Sequence, residues 1–251
     1  MADAPGRLEG QTEPVNLLHV MNASGKLTPE LAAELRQVAE TALHRHAGTL
    51  ELDGVDVAVR VLPWGLPETG IHGYAPAGHH VELTVNPQNP HFPDGWRTEL
   101  PATLAHELHH TRRWQGVGYG QTLLEILVSE GLAQHYETLE RDSPPPWAQA
   151  PANLDVLWNR AGPLLNTTDF EFEAWFYGSP AENLPRWAGY ALGRVRAGVR
   201  TRQALFHRER GRRRDAREHA RRSLPQRLGA GVSLTARPAR RPRGLPARSG
   251  R

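Results

Sequence analysis

Leu104-Ala105-His106-Glu107-Leu108-His109-His110-Thr111 holds the pattern H-E-x-x-H over residues 106–110, and Ser129-Glu130-Gly131-Leu132-Ala133 follows twenty positions on. On a helix, residues four apart share a face one turn apart, so His106 and His110 point two imidazoles at one ion. Glu107 sits about 100° round the helix from His106, beside such an ion, where it accepts a proton from an activated water. The third ligand must come from elsewhere, and Glu130 is the candidate. Its helix has an apolar stripe of Leu123, Ile126, Leu127 and Ala133, and Glu130 falls on that stripe. A lone carboxylate in a core costs several kcal/mol unless a cation or metal meets it. Two ligands from one helix, one from the next and an open position describe a catalytic zinc site. His135 lies about 140° from Glu130 on the same helix and is the weaker alternative ligand. His109 reads as a solvated or ligand-supporting residue, and His72, His79, His80 and His91 as loop and strand-surface residues.

The rest of the chain is consistent with a metal on His and Glu. Its 251 residues suffice for one well-buried domain, and the absence of cysteine excludes disulfides and thiolate metal sites. Missing cysteine also suits a reducing cytosol. Met1–Gly10 has no apolar core of the secretory kind, and no run of about 18 apolar residues occurs, so a cytoplasmic protein with no membrane partner is expected. The formal net charge of +3 conceals a split. Residues 201–251 carry 16 arginines against Glu209, Asp215 and Glu218, a net +13, while residues 1–200 carry 14 basic and 24 acidic groups, a net −10. The basic character therefore belongs to the tail, and nucleic acid is a partner only if that tail is authentic.

Residues 1–15 read as a flexible N-terminus. Thr28 and Pro29 open a helix with Leu31, Leu35, Val38, Ala42 and Leu43 at helical spacing. Val55–Leu62 alternates as a strand, and the Gly- and Pro-bearing residues 63–78 read as a loop. His80–Asn86 alternates again and suits a half-solvated sheet edge, where an extended substrate would pair. The motif helix is expected from Thr98 or Glu99 to Trp114, with Pro101 in its first turn. A second helix runs from Thr122, capped by Thr122-x-x-Glu125, to about Leu139. Residues 143–152 read as a linker, then helices are expected near 153–162 and from Pro185 to about Val199. The last of these has Trp187, Tyr190, Ala191, Arg194 and Val195 on one side. Residues 201–251 form an Arg/Pro-rich tail that cannot bury enough surface to order itself. It reads as disordered or, preferably, as an out-of-frame translation of a GC-rich gene.

Ala105–His110, Ser129–Ala133 with the Leu-rich run before it, Gly73-Tyr74-Ala75, and Trp187-Ala188-Gly189-Tyr190-Ala191-Leu192-Gly193 together resemble a bacterial family of gluzincin-type zinc-dependent proteases, a domain of unknown function. The resemblance covers roughly residues 30–200, within a catalytic domain bounded at 16–200. It implies an α+β, zincin-like fold: a small mixed sheet packed on the H-E-x-x-H helix, then a mostly helical second half. It also implies zinc (Zn2+) as cofactor, held by His106, His110 and Glu130, with Glu107 as general base hydrolysing a peptide or amide bond in a peptide or protein substrate. Tyr190 would donate a hydrogen bond to the oxyanion, unless it simply packs on Trp187. One departure is Gln134, where a carboxylate often stands four positions after the gluzincin glutamate. Two other functions fit the same residues: a metal-dependent hydrolase of non-peptide bonds, and a non-catalytic metal-containing module whose basic tail grips anions or nucleic acid.

Overall fold

The computed structural model describes residues 15–149 and 151–197. Most of the expected flexible N-terminus, the end of the last expected helix and the whole 201–251 tail lie outside the described residues. Within them the chain runs β1 (Leu17–Met21), α1 (Pro29–Leu50), β2 (Asp56–Val61), β3 (Ile71–Ala77), β4 (His80–Val85), α2 (Phe92–Trp114), α3 (Leu123–Glu137), α4 (Leu154–Ala161), α5 (Phe172–Tyr177) and α6 (Ala188–Leu192). This is a mixed α+β architecture in which a small four-stranded sheet is followed by helices. No helix of the described residues is long and apolar enough to cross a membrane.

The sheet has the order β1-β2-β4-β3, with β1, β2 and β4 parallel and β3 antiparallel to β4. Its strands follow from alternation. In β2, Val57, Val59 and Val61 are buried while Asp56 is exposed; in β4, Val81, Leu83 and Val85 are buried. The sheltered face packs with α1 and α2 in one hydrophobic cluster that includes Leu35, Ala39, Leu43, Trp96, Leu100, Leu104 and Leu108. Across the other face Arg60 pairs with Glu82 at 2.5 Å.

Two readings of this region are corrected. Residues 63–78 are not wholly a loop, because β3 occupies Ile71–Ala77; Gly73 and Pro76 hide the strand, and a bulge lies between Tyr74 and Ala77. Consequently β4 is an interior strand, paired on both sides, and the sheet edge beside the motif helix is β3. β1, with Leu17 and Met21 exposed, forms the opposite edge.

Helix α1 opens as its sequence predicts, Thr28 Oγ1 accepting from the Leu31 N–H at 3.2 Å. It closes past its apolar run, at Glu51 with φ 54°. Helix α2 begins at Phe92, several residues before the expected start, with Pro93 in its opening turn. Pro101 therefore lies inside the helix, one turn before Ala105. The burial of α2 has two sides. Leu100, Leu104 and Leu108 recur every four residues and join the sheet cluster, whereas Thr103, His106, Glu107 and His110 recur on the side that lines a cleft.

Helix α3 carries the capping box expected of it: Thr122 Oγ1 accepts from the Glu125 N–H and Glu125 Oε2 accepts from the Thr122 N–H. Its apolar side enters a second hydrophobic cluster with Leu157, Trp175, Phe176, Leu184, Ala188 and Leu192. Gly131 of α3 lies against Gly193 so closely that a Cβ on Gly131 would sit 2.2 Å from the Gly193 carbonyl oxygen, and one on Gly193 2.4 Å from that of Leu127. Two sequence segments sixty residues apart thus cross backbone to backbone, and only glycine leaves the room.

The expected helix from Pro185 starts later than its pattern suggests and continues past α6 as a π turn over Gly193–Ala197, its expected end lying outside the described residues. Trp187 adopts φ 69°, outside helical geometry, and α6 starts after it.

Candidate metal centre

Helix α2 presents His106 and His110, and α3 presents Glu130, as one buried group whose ligand atoms lie within 4.8 Å of one another. Among the described residues this is the single cluster of His, Cys, Asp and Glu able to hold a metal ion. His106 Nε2 stands 3.1 Å from Glu130 Oε2, and His110 Nε2 stands 3.3 Å from Glu130 Oε1. All three residues are at least 90 % sequestered from solvent.

The atoms behind these ligands fit a metal. His106 Nδ1 donates to Glu137 Oε2 at 3.0 Å, and Trp147 Nε1 donates to the other carboxylate oxygen of Glu137 at 3.2 Å. On His110, Nδ1 faces Ser129 Oγ at 3.5 Å. Both rings are thereby oriented with Nε2 toward the common centre, the arrangement that fixes tautomer and ring direction in histidine metal sites. A buried N, N, O donor set with a carboxylate–histidine support suits zinc. His135 is turned away and its Nε2 contacts the Arg194 carbonyl oxygen at 3.1 Å. His109 packs against Tyr136 and His110, with ring centroids at 5.8 and 6.4 Å. His72 lies on β3, lines the cleft and packs near Trp64.

The resemblance points to position 134, four after Glu130, for a supporting carboxylate. Gln134 stands there and is fully buried, but its Nε2 donates to the Tyr190 carbonyl oxygen. The carboxylate is Glu137 instead, two turns from Glu130 and on the same face. Its partner Trp147 belongs to the stretch read as a linker, where Pro146–Ala148 forms a short 3-10 turn and Trp147 is buried. The available signal was a second glutamate seven residues after the first, on a stripe that has no business burying charge without a cation.

Tyr119 was missed as well. Its hydroxyl donates a short hydrogen bond to Glu130 Oε1, and its ring packs between Trp114 and His110. It lies on the connection between α2 and α3, a region with no periodic pattern to read.

Glu107 lies on the cleft side of the cluster, against β3. A Cβ on Gly73 would meet the Glu107 carboxyl group at 2.5 Å, so the Gly73-Tyr74-Ala75 segment leaves space for the acid side chain. Burial, followed by the charges of Glu130 and Glu137, pushes the Glu107 carboxyl up to about 8, against the opposing effects of His106 and the Ala75 N–H. At Glu130, burial is overcome by His110 and His106, and its carboxyl is held far below the ordinary range. At His106, burial opposes protonation but the hydrogen bonds and charges of Glu130 and Glu137 outweigh it, so its pKa is raised well above the usual histidine value. His110 is shifted down, chiefly by burial. A carboxylate at each ring nitrogen of His106 thus favours its protonated form in the absence of an ion. A metal must displace that proton, and its affinity rises with pH below the raised pKa of His106.

Tyr190 lines the same cleft. Its ring meets Trp187 at 5.5 Å and Phe176 at 5.1 Å, both edge-on, and burial together with neighbouring Tyr177 raises its hydroxyl well above the normal range.

The fold and the centre define a class: a two-histidine, one-glutamate group able to hold a metal, with an adjacent buried glutamate, on helices beside a small mixed sheet. The match to a family model narrows it. Residues 37–195 match the family described as "Predicted Zn-dependent protease (DUF2268)", and the chain belongs to that family. No curated protein and no solved structure matches it.

If Glu137 supports the ligand His106, Glu137→Ala should weaken zinc binding by about 10–100-fold, as loss of such a support does elsewhere. Competition against a chromophoric chelator measures this directly. Unchanged affinity would mean that Glu137 only fills space.

Proposed function

We propose that the chain is a zinc-dependent peptidase in which His106, His110 and Glu130 hold the metal and Glu107 is the general base. The observation that carries the reading is the combination of a buried His106–His110–Glu130 group, oriented from behind by Glu137 and Ser129, with a second buried glutamate next to it that no ligand role accounts for. A structural site has no use for that second acid. Zinc bound there would supply a water of lowered pKa and polarise the carbonyl to be attacked.

The chain's own residues do the rest. Glu107 receives the proton of the attacking water on its carboxylate and returns it to the departing amine nitrogen. Its local surroundings favour proton uptake, since desolvation and two neighbouring carboxylates stabilise the neutral acid. Tyr119 holds Glu130 in place through its hydroxyl. Tyr190, across the cleft, is the group we assign to hydrogen-bond the developing oxyanion. The substrate, a peptide or protein, would lie along β3, the strand at the sheet edge beside α2. We place the enzyme in the cytoplasm.

The test begins with elemental analysis of protein purified without added zinc, followed by digestion of a mixed peptide library. Near-stoichiometric zinc, peptide cleavage that stops with a chelator and returns with zinc, and a panel of esters left uncut support the reading. Stable zinc-loaded protein that cuts esters or other amides but no peptide would replace it with a different hydrolase. In the same assay Tyr190→Phe should lower kcat by about 10-fold or more and leave zinc affinity unchanged; an unaltered kcat would return Tyr190 to a packing role against Trp187.

A further inference from the structure

The cleft, a cavity of about 150 Å³, continues from the His106–His110–Glu130 cluster into a chamber walled by aromatic rings. Trp187 stands at its centre, with ring centroids 5.5 Å from Tyr190, 5.7 Å from Tyr177 and 6.2 Å from Trp147, all edge-on. Phe172 adds a further wall, and Leu66 closes the chamber from the first half of the chain.

Two features show that the Trp187 ring is held where it is. Its backbone lies at φ 69°, a region that bulky residues avoid and that the surroundings must enforce. The Arg186 guanidinium stacks over the ring at 4.1 Å and is itself tied to Glu68, before β3, by hydrogen bonds of 3.1 and 3.3 Å. The cation stacked on this ring is thus already engaged with a carboxylate.

The wall's chemistry selects its occupant. Among the described residues no lysine or arginine lines the cleft, and its three carboxylates, Glu107, Glu130 and Glu137, all belong to the candidate metal centre. A charged side chain entering the chamber would shed water without gaining a partner. A large apolar one would replace water against ring faces and edges. We propose that this chamber is the side-chain subsite and that the enzyme selects substrates with a large apolar side chain, aromatic above all, next to the bond that is cut. The inference rests on the peptidase reading for the bond and on the chamber alone for the side chain.

The test separates the two. The zinc-loaded full chain is titrated with the hydroxamates of phenylalanine, alanine, aspartate and lysine, followed by tryptophan fluorescence, and in parallel a mixed peptide library is digested and its cut sites mapped by mass spectrometry. Phenylalanine hydroxamate should bind at least 10-fold more tightly than the other three, and cut sites should be flanked by Phe, Tyr, Trp or Leu. Trp187→Ala and Phe172→Ala, each first shown to hold zinc, should shrink the phenylalanine-to-alanine ratio to about 3-fold or less. Equal affinities, or a preference that neither variant moves, would overturn the subsite. Selective hydroxamate binding with no peptide cut leaves the subsite standing and removes the peptidase reading. Peptides cut with no side-chain preference do the reverse.

Discussion

Glu107→Gln is expected to keep its zinc and lose turnover by about 10²–10⁴-fold, the range that a positioned general base contributes. The amide is nearly the size of the acid, so the space left by Gly73 still accommodates it, and the metal ligands are untouched. Zinc content and kcat, measured on one preparation, decide the matter: retained zinc with retained turnover would remove Glu107 from the mechanism. The same variant has a second signature in metal-free protein. The Glu107 carboxyl is raised from 4.5 to about 8 in the folded chain, so the folded state binds that proton more tightly than the unfolded one. Its contribution to stability is therefore present below about 4.5 and is lost as pH rises to about 8, with a slope of at most about 1.4 kcal/mol per pH unit. Urea denaturation across that window should show a flatter pH dependence in Glu107→Gln than in the parent.

Glu130→Ala should abolish stoichiometric zinc and, with it, all hydrolysis. The carboxylate faces both histidine Nε2 atoms and accepts the Tyr119 hydroxyl hydrogen bond. Its removal also takes away one of the two carboxylates that face His106, leaving only Glu137 on Nδ1. Breaking a buried ion pair by deleting one member costs roughly 3–5 kcal/mol, so the metal-free variant should also melt earlier than metal-free parent. Elemental analysis beside a thermal melt reads both effects. A variant that still holds one zinc per chain would show that the third ligand lies elsewhere.

The proposed ligands are legible because they obey spacing rules, His106 and His110 differing by one turn and Glu130 interrupting an apolar stripe, and the fold brings the three together. The supporting groups obey no local rule. Glu137 meets His106 through the packing of α3 on α2, Trp147 arrives from a Pro-rich stretch with no periodicity, and Tyr119 sits on a connection. In the fold, α1 and α3 announced their starts through Thr28 and Thr122, whose side chains cap them. Helix α2 has no side-chain cap at His91, and an internal Pro101 imitates a first turn, so its opening was placed too late. β3 was hidden by Gly73 and Pro76, residues that weaken strand patterns, and with β3 unseen β4 was taken for an edge. One rule-breaking residue, Gly73, makes room for Glu107, which is why local pattern fails just there.

The chain keeps two hydrophobic clusters, one between the sheet and helices α1 and α2, the other around α3 to α6. The histidines hang from the first and the glutamate from the second. An ion at their meeting point would tie the two clusters together, so that on the proposed reading loss of metal would loosen the fold as well as stop the chemistry.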